Sequence, residues 1–173
     1  QVFPMSKPLM SDELNRRLVA LLQEEGRISH AELAERLSVS RPTVIERVKR
    51  LEADGIISGY SARVSPAAVQ KPNVAFVSVR HRHGDDDALE AAFLEALRNE
   101  PDVLEAYSMA GEDCLLLKLV ADTPMGLHDR LRRIRSLGEQ VSTRTAIVLQ
   151  THFVKAGPSP FPPDLTTARK SRK

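Results

Sequence analysis

Apolar residues recur at helical spacing through the first third of the chain. Leu14, Leu18, Leu21 and Leu22 fall at i, i+4, i+7 and i+8, one stripe of an amphipathic helix that opens at Ser11 or Asp12 and ends near Gly26. Leu33, Ala34 and Leu37 make a second stripe, on a short helix capped by Ser29, with Glu32 three residues on to close a capping box. Ser38-Val39 then reads as a turn. Ser40 caps a third helix that carries Pro42 in its first turn and ends at Asp54, with Gly55 as a left-handed C′ residue. Val44, Val48 and Leu51 must face the core, and Ala34 supplies the small side chain that two helices crossing at a tight turn require. Ile56, Ile57, Tyr60, Ala62 and Val64 follow in a β-prone stretch that reads as a wing or as a strand leading out to a partner.

From Asn73 the period changes. Residues 74–80 read as a strand, and Asp85, Asp86 and Asp87 place negative charge at the start of a helix whose stripe is Leu89, Phe93, Leu94 and Leu97. Residues 103–109 and 114–120 read as two strands joined by the turn Ala110-Gly111-Glu112-Asp113. Thr123 caps a helix over 124–137, and 141–149 form a last alternating strand. The expected fold is therefore α+β: an N-terminal helix-turn-helix domain, winged-helix-like, and a C-terminal ferredoxin-like β-α-β-β-α-β domain. Its divisions are an extension over 1–10, the helical domain over 11–64, a linker over 65–72, the sheet domain over 73–154, and a Pro-rich basic tail over 155–173. Two helices cover one face of such a sheet. Phe76 and alternating positions among Leu115 to Leu119 leave the bare face apolar enough to require a partner, and the simplest partner is a second copy.

The outward side of the third helix carries Ser40, Arg41, Thr43, Arg47 and Arg50, with Lys49 beside them. Arginine can bridge two acceptors on guanine in the major groove, and small hydroxyls reach phosphates. A solvated helical face would explain any one charge run. Two capped helices, the small-residue contact and the bases together point to double-stranded DNA, with Arg41, Thr43 and Arg47 as base readers and Ser40, Lys49 and Arg50 on phosphates. A dimer would present two such helices to two half-sites.

Leu14 to Gly26, then ELAERLSVS, VIERVKRLEADGIISGY and GEDCLLL, and then the last strand, together resemble the Lrp/AsnC, or feast/famine, transcriptional regulators. The resemblance runs from about Ser11 to Phe153. It implies a regulator that dimerises through its C-terminal domain, often assembles dimers into octamers, and senses a small molecule, commonly an amino acid. It also implies an effector site at the turn between the second and third strands, here Ala110, Gly111, Glu112 and Asp113. The family's turn commonly has glycine, two variable residues and aspartate. Counting from Gly111, that place holds Cys114, and Asp113 comes one residue early, which in a strand reverses the side chain's face. A tight turn without a ligand is the alternative at this point.

Charge refines this picture by segment. Residues 11–64 carry nine Lys/Arg and nine Asp/Glu, so DNA affinity must come from local placement and from doubling by dimerisation. Residues 156–173 hold four Lys/Arg against one Asp, in a stretch with Pro158, Pro160, Pro162 and Pro163 that should be extended, as a solvated terminus or an electrostatic arm. No apolar run approaches about 18 residues and no signal peptide precedes the first helix, so a cytoplasmic location is expected. The lone Cys114 excludes an intramolecular disulfide and reads as a buried strand residue. His81 and His83 share a strand face, but beside Arg80 and Arg82 they read as a solvated strand end, and no metal or other cofactor is expected. Catalysis lacks any supporting motif. The alternatives left are a sirohaem-decarboxylase-like enzyme on the same fold, which would use His81, Arg82 and His83, and a ligand sensor without DNA binding.

Overall fold

The computed structural model describes residues 12–81, 87–111 and 113–161. They form two units, one of described residues up to Ala62 together with those from Phe153, the other Arg63–His152.

In the first unit, helix α1 spans Glu13–Glu24, α2 His30–Leu37 and α3 Arg41–Ala53. Each start has its cap. The Asp12 carboxylate accepts from the Leu14 amide at 2.9 Å, Ser29 Oγ from Glu32 at 3.1 Å and Ser40 Oγ from Thr43 at 3.3 Å. The capping box expected at α2 is half made, because the Glu32 carboxylate turns to Arg36, one helical turn on, at 2.5 Å. Ser38 takes a left-handed φ of 55°, which lets the Val39 amide reach the Ala34 carbonyl at 3.0 Å and closes the turn. Gly55, at φ 69°, ends α3. Leu18, Leu33, Leu37, Val44, Val48 and Leu51 form the core with Ala34. Residues 56–64 form no strand here: Ile56 and Ile57 pack on that core, but a lone extended segment has no ladder partner within the described chain. Tyr60 folds back to donate to Glu52 at 3.0 Å. Burial and that carboxylate push its phenol up to about 12. The tail over 153–161 has no regular element, and Gln23 Nε2 donates to the Pro158 carbonyl at 2.9 Å, so this stretch lies on α1 rather than free. The basic end of the tail lies outside the described residues.

In the second unit, β1 (Asn73–Arg80), α4 (Asp87–Arg98), β2 (Val103–Ser108), β3 (Leu115–Ala121), α5 (Pro124–Ser136) and β4 (Ser142–Ile147) follow in the expected order. The strands make one antiparallel sheet, β2-β3-β1-β4. Asp85 and Asp86, expected to open α4, lie outside the described residues. Ala75, Val77, Val79, Leu115, Leu117 and Leu119 turn to one face and pack with Phe93, Leu97, Leu127 and Ile134 of the helices. The stretch before β1 is held down, with a short 3₁₀ turn at Ala67–Val69 and an ion pair from Lys71 to Asp102.

Candidate nucleic-acid interface

α3 is oriented by Val44, Val48 and Leu51, all at most 3% exposed, so its other side is committed to solvent. Ser40, Arg41, Lys49 and Arg50 are exposed there. Arg41, Lys49 and Arg50 make no ion pair among the described residues, which leaves three cations uncompensated on and beside the recognition helix. Ser40 and Thr43 share a hydrogen bond of 2.7 Å between hydroxyls at the helix N-terminus, a place where anions are favoured.

Arg47 departs from the expected arrangement. Its guanidinium Nη1 donates to the Asp12 carboxylate and to Asn15 Oδ1 at 2.8 Å, and its side chain is only 32% exposed. Asn15 itself is 2% exposed. The helical wheel gives the reason: at 100° per residue Arg47 lies only about 40–60° from Val44 and Leu51, on the flank of the buried stripe rather than opposite it. Leaving Asn15 and Asp12 would cost roughly 1–3 kcal/mol in unsatisfied polar groups, which offsets the 1–3 kcal/mol of a bidentate base contact. That hydrogen bond from Arg47 is the main reason the Asp12 carboxyl is held below the usual carboxylate range.

Around the β2–β3 turn, Gly111 has φ 131°, a conformation side chains resist, with open space where a Cβ would stand. Ala110 precedes it at the exposed surface, Asp113 follows, and Glu112 lies outside the described residues. Arg144 donates to the Asp113 carboxylate at 2.6 Å, and the Arg80 guanidinium stands 3.9 Å away. With Ser78, Ser142 and Thr143 these groups line a cavity of about 140 Å³. Cys114 packs instead against the helix-covered core, its thiol 3.7 Å from the His81 carbonyl, so the two neighbours do face opposite ways.

His81 corrects the expectation of a solvated strand end: its ring packs on Phe93, centroids 5.2 Å apart. His83 and Arg82 lie outside the described residues. Among the described residues no His, Cys, Asp or Glu group is arranged to hold a metal ion, and no helix is long and apolar enough to cross a membrane. Leu115, Leu117 and Leu119 all point to the helices, leaving Val74, Phe76, Leu116, Val120 and Tyr107 on the other face beside a Lys118–Glu105 ion pair of 2.8 Å. Sequence reasoning missed the Lys71–Asp102–Arg130 cluster, in which Asp102 is 3% exposed. Burial alone would raise this carboxyl, but hydrogen bonds from Lys71 and Arg130 outweigh it and hold it below its ordinary value.

Comparison with known proteins agrees with this arrangement. Residues 11–58 match a winged helix-turn-helix DNA-binding model and 74–157 an Lrp/AsnC ligand-binding-domain model. The chain is 37% identical over 142 residues to the HTH-type transcriptional regulator LrpA of Mycobacterium tuberculosis, covering 82% of this chain and 92% of that one. It is 34% identical to the leucine-responsive regulatory protein of Rhizobium meliloti, covering 80% and 89%. Its fold superposes on a feast or famine regulatory protein of M. tuberculosis solved with L-methionine, with TM-score 0.76, 36% identity and coverage of 86% and 99%. These relatives bear the names of regulators, and nothing in them favours the decarboxylase. An intact recognition helix and two domain matches in the expected order leave one conclusion: the chain belongs to the Lrp/AsnC family of DNA-binding transcriptional regulators.

Proposed function

We propose that two copies of this chain join through the bare sheet face, read paired DNA half-sites with α3, and alter that binding when a small molecule occupies the turn at Gly111. The observation that carries the DNA contact is the exposed set Arg41, Lys49 and Arg50, without an ion pair among the described residues, on a helix whose opposite side is buried. Arg41 and Thr43 read base edges; Ser40, Lys49 and Arg50 hold phosphates. Arg47 acts through its neighbours.

The effector is an amino acid or a related carboxylate, held at Ala110, Gly111, Glu112 and Asp113. Arg80 and Arg144 supply cations beside that turn, while Asp113 is already engaged by Arg144. L-Methionine bound to a relative of similar fold supports this class of ligand. The helical domain over 11–64 reads DNA and the sheet domain over 73–154 pairs and senses, with function confined to the cytoplasm, where DNA lies. Assembly of dimers into octamers is the further step this family likeness suggests.

A fluorescence-anisotropy titration on DNA from the protein's own upstream region and on scrambled DNA, at two salt concentrations and with or without amino acids, tests the whole. Specific, salt-sensitive binding that moves with the amino acids is the expected result. Failure to bind any DNA sinks the proposal and favours a sensor.

A further inference from the structure

Helix packing through Leu18, Leu33, Val44, Val48 and Leu51 is strong but non-directional, and apolar surfaces tolerate small rotations of one helix on another. A polar device ties α3 to α1 across this packing. The Arg47 guanidinium, from the middle of α3, meets the Asp12 carboxylate that caps α1 and the amide oxygen of Asn15, which sits one turn into α1 and is almost wholly buried. A single nitrogen, Nη1, meets both acceptors at once, and holding it between a carboxylate and a buried amide oxygen of α1 restricts the rotation and height of α3 relative to α1. The held position of Asp12 is independently marked by its cap on Leu14.

We propose that Arg47 is a positioning residue: its shared contact with Asp12 and Asn15 sets the azimuth at which α3 presents Arg41, Lys49 and Arg50, and Arg47 itself does not touch DNA. This rests on the DNA-binding reading above. A rotation of α3 by a few degrees moves the tip of a long arginine by a large fraction of a hydrogen bond's tolerance, so loosening this contact weakens every DNA contact together. Asp12, an acid that would repel phosphate if it stood alone, becomes a determinant of DNA affinity.

The full-length protein and four variants test this: Arg47→Ala, Arg47→Lys, Asp12→Ala and the double variant Asp12→Ala/Arg47→Ala. Thermal melts come first, and DNA titrations are then made at a temperature where all remain folded, on specific and scrambled DNA over a range of salt. Arg47→Ala should weaken binding roughly tenfold, the order of one charge-assisted hydrogen bond, with the salt slope unchanged. Asp12→Ala should weaken it similarly, and the double variant no further, because both break the same tie. Arg47→Lys, whose ammonium ends one bond short of the position of Nη1, should fall between.

If Arg47→Ala instead flattens the salt slope or relaxes base preference while Asp12→Ala binds as well or tighter, Arg47 contacts DNA and the proposal fails. A lowered melting point with unchanged affinity would also overturn it, leaving a structural tie only. Absence of DNA binding in the unaltered protein would overturn the reading beneath it, an outcome seen before any variant is compared.

Discussion

At the scale of single residues, the recognition helix separates groups by what they can reach. Arg41 stands at the first turn of α3, exposed, and Arg41→Ala should cost about 1–3 kcal/mol of discrimination between specific and scrambled DNA, measured by parallel anisotropy titrations. Lys49 and Arg50 should behave differently. Lys49→Ala should weaken binding to both DNAs alike and lower the slope of log affinity against log salt by about one for each phosphate left unneutralised. Arg47 shares their chemistry but not their position. Its residue type suggested a base reader, while its place beside Val44 and Leu51 on the wheel, and the acceptors on α1, turned it inward. Nothing in the sequence around Arg47 discloses Asp12 and Asn15, which lie more than thirty positions earlier. At the proposed effector turn, Gly111→Val would force a side chain onto a φ of 131°, and the response of DNA binding to amino acids should disappear while binding itself persists. An undiminished response would move the pocket elsewhere.

At the scale of elements, caps and buried acids decide where helices and strands hold. Ser29→Ala should cost about 1 kcal/mol by removing the acceptor for the Glu32 amide, read by chemical denaturation. The sheet unit relies on Asp102 more heavily. This buried carboxylate joins Lys71, ahead of β1, to Arg130 on α5, and its pKa is lowered in the fold. A lowered carboxyl contributes stability that is present above the unfolded value near 3.9 and is lost as pH falls through the folded value. Thermal melts from pH 6 to pH 3 should therefore drop most steeply below about pH 4, and Asp102→Asn should flatten that drop while lowering stability at neutral pH. Element order and caps were legible in the sequence because period and capping are local; the failure of residues 56–64 to form a strand was not, because a strand needs a partner that periodicity does not supply.

At the scale of the whole molecule, the proposed function depends on pairing. The bare sheet face holds Phe76 at 39% exposure and Tyr107 at 50%, bordered by Lys118 and Glu105. Phe76→Asp should leave each chain folded but shift it to monomer in sedimentation, and weaken DNA binding by far more than any single phosphate contact, because the second half-site then binds independently. The two arginines at one end of this face, Arg80 and Arg144, stand against the Asp113 carboxylate, so the proposed effector turn adjoins the proposed pairing face.

The sequence by itself determined the two-domain plan, the helix-turn-helix with its caps, the β-α-β-β-α-β order and the family, because each is written in local spacing and in runs of residues adjacent along the chain. Tertiary structure alone decided that Arg47 serves Asp12 and Asn15, that Asp113 meets Arg144 while Cys114 turns to the core, that His81 packs on Phe93, and that Asp102 binds two distant cations. Each of those pairings joins residues far apart in the chain, and only the packing of helices and strands brings such partners within hydrogen-bonding reach.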